Sequence, residues 1–146
     1  MLVGAGDSSS QQWTFASCHF TWDGAAKERE HHVALLEPEF SGKQRFVLGG
    51  DWNAAGGQPS SSLRVLQERT WLGRHGEHVP LRPPPRGTHF KEQESAVIDH
   101  FFVSSDVRIG ARAKALKEPS CPYGDGSPAA VVGASDHVPI LLQVSP

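Results

Sequence analysis

The apolar positions change period several times along the chain, and each change marks an element. From Trp13 to Phe20 (WTFASCHF) they alternate, with Trp13, Phe15 and Ser17 on one side and Thr14, Ala16 and Cys18 on the other. That two-residue repeat predicts a strand. Thr21-Trp22-Asp23-Gly24 reads as a turn. In AAKEREHHVALLEPEF the spacing becomes helical: Ala26, Glu28, Arg29 and Glu30 favour helix, and Val33, Leu36 and Phe40 share one stripe. Pro38 predicts that the regular helix ends near Glu37. QRFVLGG is a short apolar run of the kind that forms a buried strand. SSLRVLQERTW predicts a second helix, capped by Ser60 or Ser61, with Leu63, Leu66 and Val65 turned inward. RHGEHVPLRPPPRG contains three consecutive prolines and predicts an irregular loop. Strands are expected at THF (88–90), at AVIDHFFV (96–103) and from Val107 to Ala115. KEPSCPYGDGSPAAVVGA reads as a long loop, and VPILLQV as a last buried strand. No internal repeat is visible.

Strands separated first by helices and then by loops imply an α/β fold, a mixed β-sheet with flanking helices. The polar clusters fall at or just past strand ends, where a rigid sheet commonly holds chemistry. The 146 residues suit one domain. Residues 1–12 read as a disordered lead-in and 13–146 as the domain. The formal charge of −2 gives no global attraction to nucleic acid or an anionic membrane, so any polyanion contact must be local. Cys18 and Cys121 form neither a disulfide framework nor a zinc-spacing motif, which points to a reducing compartment. The N-terminus lacks the features of a secretory signal. No apolar run approaches the roughly 20 residues needed to span a bilayer. The expectation is a soluble, intracellular protein without a membrane partner, nuclear or cytoplasmic.

Four clusters carry candidate chemistry. In LGGDWNA, Asp51 and Asn53 follow two glycines at a strand end; they are either turn formers or groups aimed at a substrate. In AVIDHFFVSSD, Asp99 interrupts an apolar strand, where a carboxylate is costly unless paired, and an imidazole is a sensible partner. Alternation puts Val97, Asp99 and Phe101 on one face and Ile98, His100 and Phe102 on the other, so His100 is the lesser candidate. SDHVPI places Asp136 and His137 before the closing strand, and His19 ends the first one. Trp22 and Trp52 either stack on a base or fill the core. Arg82, Arg86 and Lys91 form either a phosphate-binding edge or a solvated loop.

In that order, the strand-end His, GGDWNA, VIDHFFVS and SDHVPI resemble the endonuclease/exonuclease/phosphatase superfamily, with its DNase I-like fold. The resemblance runs from about Trp13 to Val144. It implies hydrolysis of phosphodiester bonds by in-line attack of water with a divalent metal, Mg²⁺ or Mn²⁺. By motif position, Asp51 would orient or deprotonate the water and Asn53 would bond a non-bridging phosphate oxygen. Asp99 would pair with His137 and fix its tautomer. His137 would contact the phosphate or act as general base. Asp136 would ligate the metal, and His19 would contact the phosphate.

The family's domain is considerably longer, and its first half supplies a Glu that is the main metal ligand. The chain therefore resembles the C-terminal half of the four-layered sandwich, without that Glu. Such a half is expected to expose a sheet face normally covered. HFTWDGAAKERE, LGGDWNA and SDHVPI look most like endonuclease domains of non-LTR retrotransposons, fused to reverse transcriptases. The implied substrate is nucleic acid, DNA ahead of RNA. The implied partners are the missing N-terminal half of the domain or the reverse transcriptase. The alternatives are an inactive remnant that binds nucleic acid or protein, and a phosphatase of a small phosphoester.

Overall fold

A strand, a helix and a second strand open the fold: β1 (Trp13–His19), α1 (Ala26–Phe40) and β2 (Arg45–Asp51). β1 and β2 pair in parallel, the arrangement a helical crossover permits. The computed structural model describes residues 12–21, 26–40, 42–43, 45–55, 62–85, 87–91, 94–108, 110–116 and 137–144, of which 90, 91, 94 and 95 are described by their backbone alone. The remaining elements are α2 (Ser62–Arg69), α3 (Leu72–His75), β3 (Gly76–Val79), β4 (His89–Lys91), β5 (Glu94–Ala96), β6 (Asp99–Ser104), α4 (Ser105–Arg108), β7 (Arg112–Ala115) and β8 (Ile140–Gln143). The main sheet has the order β1-β2-β6-β3, with β6 antiparallel to both β2 and β3. β4 pairs with β5 and β7 with β8, each pair antiparallel. The fold is α/β, a mixed sheet with flanking helices.

Alternation along the strands sorts apolar side chains into two layers. Phe46, Leu48 and Phe102 meet Val33, Phe40, Leu63, Leu66, Trp71 and Leu72 of the helical side. On the other face Val47, Val79 and Val103 meet Val107, Ala113, Ile140 and Leu142 around the β7–β8 pair. That second cover does not extend over all of β1. Phe15 remains 45% exposed with its ring stacked on Trp13 at 5.7 Å, and Ser17 and His19 are exposed beside it.

Several elements depart from the sequence expectations. α1 does not stop near Glu37 but continues through Pro38 to Phe40. Buried Phe40 stacks on Trp71 at 5.6 Å and meets Phe46 edge-on at 5.4 Å, and this packing outweighs the local disruption a late proline causes. RHGEHVPLRPPPRG is not all loop: it contains the second half of α3 and the edge strand β3, whose pairing with β6 no apolar alternation announces. AVIDHFFV is not one strand. β5 ends at Ala96 and β6 begins at Asp99, because the amides of Ile98 and Asp99 donate to Thr88 Oγ1 at 3.1 and 3.0 Å. The 107–115 stretch divides between the end of α4 and β7. The closing strand is only half-buried, with Leu141 and Gln143 turned outward. The lead-in up to residue 11 and the capping serines Ser60 and Ser61 lie outside the described residues.

Candidate active site

The register of three neighbouring strands builds the site. His19 of β1 pairs with Asp51 of β2, and Asp51 with Asp99 of β6, so the three stand in a row at one end of the sheet. All three occupy the parity of Val47 and Phe101, the face away from the helices. Immediately behind them Gly49 pairs with Phe101, whose ring lies where a side chain on residue 49 would go; a Cβ there would sit 2.5 Å from two ring carbons. Gly50 has φ of 137° and a Cβ would strike the Cys18 carbonyl, so this position needs glycine. The two glycines of LGGDWNA thus bring β1, β2 and the Phe101 ring close together beneath the polar row.

Asp51 and Asn53 form a turn and also line the cleft. Asp51 Oδ1 accepts the Asn53 backbone N–H at 2.8 Å, an Asx turn that holds Asn53 at φ of 45°. The Asn53 amide donates to the Phe20 carbonyl at 2.6 Å, tying the lip to the end of β1. Asp51 Oδ2 lies 3.6 Å from His19 Nε2 and 3.6 Å from His137 Nε2. His137 Nδ1 donates to Asp99 Oδ2 at 2.8 Å. One imidazole therefore bridges two carboxylates, Asp99 behind it and Asp51 in front. The carboxylates are 11% and 12% exposed, His137 26% and His19 78%, so the imidazole–carboxylate pairs grade from buried to open.

These residues, with Ser17, Cys18, Gly50, His89 and Ile98, line one open cleft of about 640 Å³. Burial and the nearby Asp51 carboxylate push the Cys18 thiol up to about 12, which makes it a poor nucleophile there. His100 takes no part in the cleft. It faces the helical side, where Nε2 contacts the carbonyls of Ala54 and Val97 at 3.0 and 3.1 Å and Nδ1 lies 3.2 Å from His78 Nε2. Burial holds both imidazoles neutral, His78 down to about 4. Trp52 fills the core, donating from Nε1 to the His100 carbonyl at 3.1 Å, and is closed to a base. Trp22, Arg86 and Asp136 lie outside the described residues, as does the side chain of Lys91; Arg82 is exposed and does not line the cleft.

Two contributors escaped the sequence reading. Thr88 is fully buried and its hydroxyl sets the start of β6, and therefore Asp99. His89 pairs through its backbone with His137, the two rings 4.8 Å apart. Neither has a motif; the only signal was their position in a predicted strand. Among the described residues no group of three or more His, Cys, Asp or Glu side chains is arranged to hold a metal ion. Asp51 Oδ1 is taken by an amide and Asp99 Oδ2 by an imidazole, so these residues alone do not fit Mg²⁺, which wants several oxygen ligands.

Comparison with protein-family models and with curated protein sequences gave no match in either case. Solved structures do match. The endonuclease domain of TRAS1, a telomere-specific non-LTR retrotransposon, superposes with a TM-score of 0.66 at 16% identity, covering 98% of this chain and 62% of that one. A mannosyl-6-phosphatase from Bacteroides thetaiotaomicron gives 0.57 at 18% identity, covering 92% and 51%. An endonuclease/exonuclease/phosphatase family protein from the same bacterium gives 0.55 at 18% identity, covering 91% and 49%. The chain has the DNase I-like fold of these structures, and it spans between 49% and 62% of their lengths.

Proposed function

We propose that this cleft hydrolyses phosphoesters, and in particular the phosphodiester bonds of nucleic acid. The observation that carries the reading is the His137 imidazole set between Asp99 and Asp51, with His19 on the far side of Asp51. Asp99 accepts the Nδ1 proton and so leaves Nε2 as the working nitrogen on the Asp51 side. Asp51 then orients and deprotonates a water, and His137, in its imidazolium form, donates from Nε2 to the phosphoryl oxygens as charge grows, with His19 as a second donor. Asn53 Nδ2 keeps a second hydrogen for the same group after serving Phe20. The likeness to the TRAS1 endonuclease domain supports DNA as the substrate.

Mg²⁺ or Mn²⁺ belongs to this proposal only with ligands beyond the described residues: Asp136, and oxygens from the remainder of a full-length domain or a fused reverse transcriptase. Bound there, it would neutralise charge on the phosphate. A second reading, hydrolysis of a small phosphomonoester, is favoured by the likeness to the mannosyl-6-phosphatase.

Nicking of supercoiled plasmid tests the first reading. Wild type should nick, and His137→Ala should be slower by at least about 100-fold; loss of nicking in EDTA would point to a divalent cation held by ligands beyond the described residues. Equal nicking by wild type and His137→Ala overturns the proposed site. Plasmid retention in a gel without nicking would leave a binding fragment. Turnover of sugar phosphates without nicking would favour the second reading.

A further inference from the structure

We propose that His89 is a further substrate-contacting residue of the cleft, donating a hydrogen bond from its imidazole to an oxygen of the bound phosphoester. The proposal rests on the phosphoester reading above and deepens it. His89 lines the same cleft as His19, Asp51, Asn53, Asp99 and His137. It comes from β4, whereas His19, Asp51 and Asp99 stand on the main sheet, so it brings a donor from a different wall.

The placement of His89 is built rather than incidental. Its backbone bridges that of His137, and the Val138 N–H donates to the Thr88 carbonyl at 2.7 Å. One residue before it, the Thr88 hydroxyl accepts the amides of Ile98 and Asp99. The contacts that fix Asp99 and His137 therefore also fix residue 89, and such preorganisation is what a transition-state donor requires. The two rings are tilted by 51° with centroids 4.8 Å apart. Neighbouring rings at that spacing can address two oxygens of one tetrahedral phosphate. An imidazole donor to an anionic oxygen makes the stronger, charge-assisted class of hydrogen bond.

NMR titration of the chain with dimethyl phosphate, and separately with inorganic phosphate, tests this while following the histidine Cε1–Hε1 signals. In wild type the signals of His19, His89 and His137 should shift together and those of His78 and His100 should not. His89→Ala should weaken binding roughly ten-fold, and His89→Gln, which keeps a donor, should remain within about three-fold of wild type. If His89→Ala binds as tightly as wild type while His19 and His137 still shift, the role of His89 falls and the phosphoester reading stands. If Ala and Gln weaken binding equally, the hydrogen bond is refuted. If neither phosphate moves any cleft histidine in wild type, both readings fall.

Discussion

His100 and His137 meet the same sheet from opposite sides, and the contrast shows one residue type in two environments. His100 follows Asp99 directly in β6, so strand parity sends the two side chains to different faces. On the helical face His100 is 2% exposed, bonded to two backbone carbonyls and to His78, and kept neutral by burial. On the cleft face His137 is paired with a carboxylate on each side. The first arrangement satisfies buried polar groups and joins the 52–55 lip to the 97–98 segment. The second keeps an imidazole, its proton and an acceptor at the edge of solvent. An imidazole that ends at carbonyls is structural; one that ends at two carboxylates in an open cleft is equipped to move a proton.

Exchanging the two for alanine should separate these environments, with the largest effects of all. His137→Ala should lower nicking by about 10²–10⁴-fold, the range of general acid–base catalysis. Its stability cost, roughly 1–2 kcal/mol from leaving the Asp99 carboxylate without its imidazole, should be the smaller of the two, since the site is open to water. His100→Ala should instead cost roughly 2–4 kcal/mol of stability, because it leaves a cavity and strips the Ala54 and Val97 carbonyls of their donor. Urea midpoints together with nicking rates would show it. If His137→Ala destabilises as much as His100→Ala, the distinction between the two faces fails.

Acid should act on the helical face in the same direction. Burial, then the neighbouring His100 and Arg108, lowers His78 from an ordinary value of 6.5 to about 4. The unfolded chain therefore takes up its proton first as the pH falls. The associated stability is complete above about pH 6.5, is lost progressively towards pH 4, and levels off below it, amounting to roughly 3 kcal/mol. His100, also lowered, adds to the loss in the same sense. Urea unfolding at pH 7 and pH 4.5 should show the decline in wild type and a clearly smaller one in His78→Gln. An unchanged slope in that variant would mean that the His78–His100 pair is not what acid attacks.

The parts legible in the sequence are those where one strand's alternation carries the information. The parity of VIDHFFV separated Asp99 from His100, and the strand-end residues His19 and Asp51 stand in the row that the register completes with Asp99. What stayed hidden depends on pairing between distant segments. GEHV shows no apolar alternation, yet β3 forms because β6 offers its edge. Thr88 and His89 look like any strand residues until the 88–89 backbone meets 137–138 and the Thr88 hydroxyl meets the Ile98 and Asp99 amides. Pro38 misled because a buried aromatic two residues later holds the last turn of α1 in place.

Beneath the cleft, Gly49 tests how tightly the two faces are joined. Gly49→Ala forces its Cβ against the Phe101 ring, and overpacking of that kind should cost about 1–3 kcal/mol. Adding Phe101→Leu should recover part of the loss, so that the two changes are non-additive in urea melts. Simple additivity would mean that the ring does not rest on residue 49.

The smallest effect is expected at the open end of the same face. Phe15 occupies the parity of His19 but lies 45% exposed against Trp13, whereas Val33 on the helical side is fully buried. Phe15→Ser should shift stability by no more than about 0.5 kcal/mol, while Val33→Ala should cost roughly 1–3 kcal/mol. The small stability change should come with lower self-association in sedimentation, because it removes an exposed aromatic from an edge strand. A loss at Phe15 as large as that at Val33 would mean that the face is covered in solution, and the contrast between a sealed helical side and an open cleft side would then end short of β1.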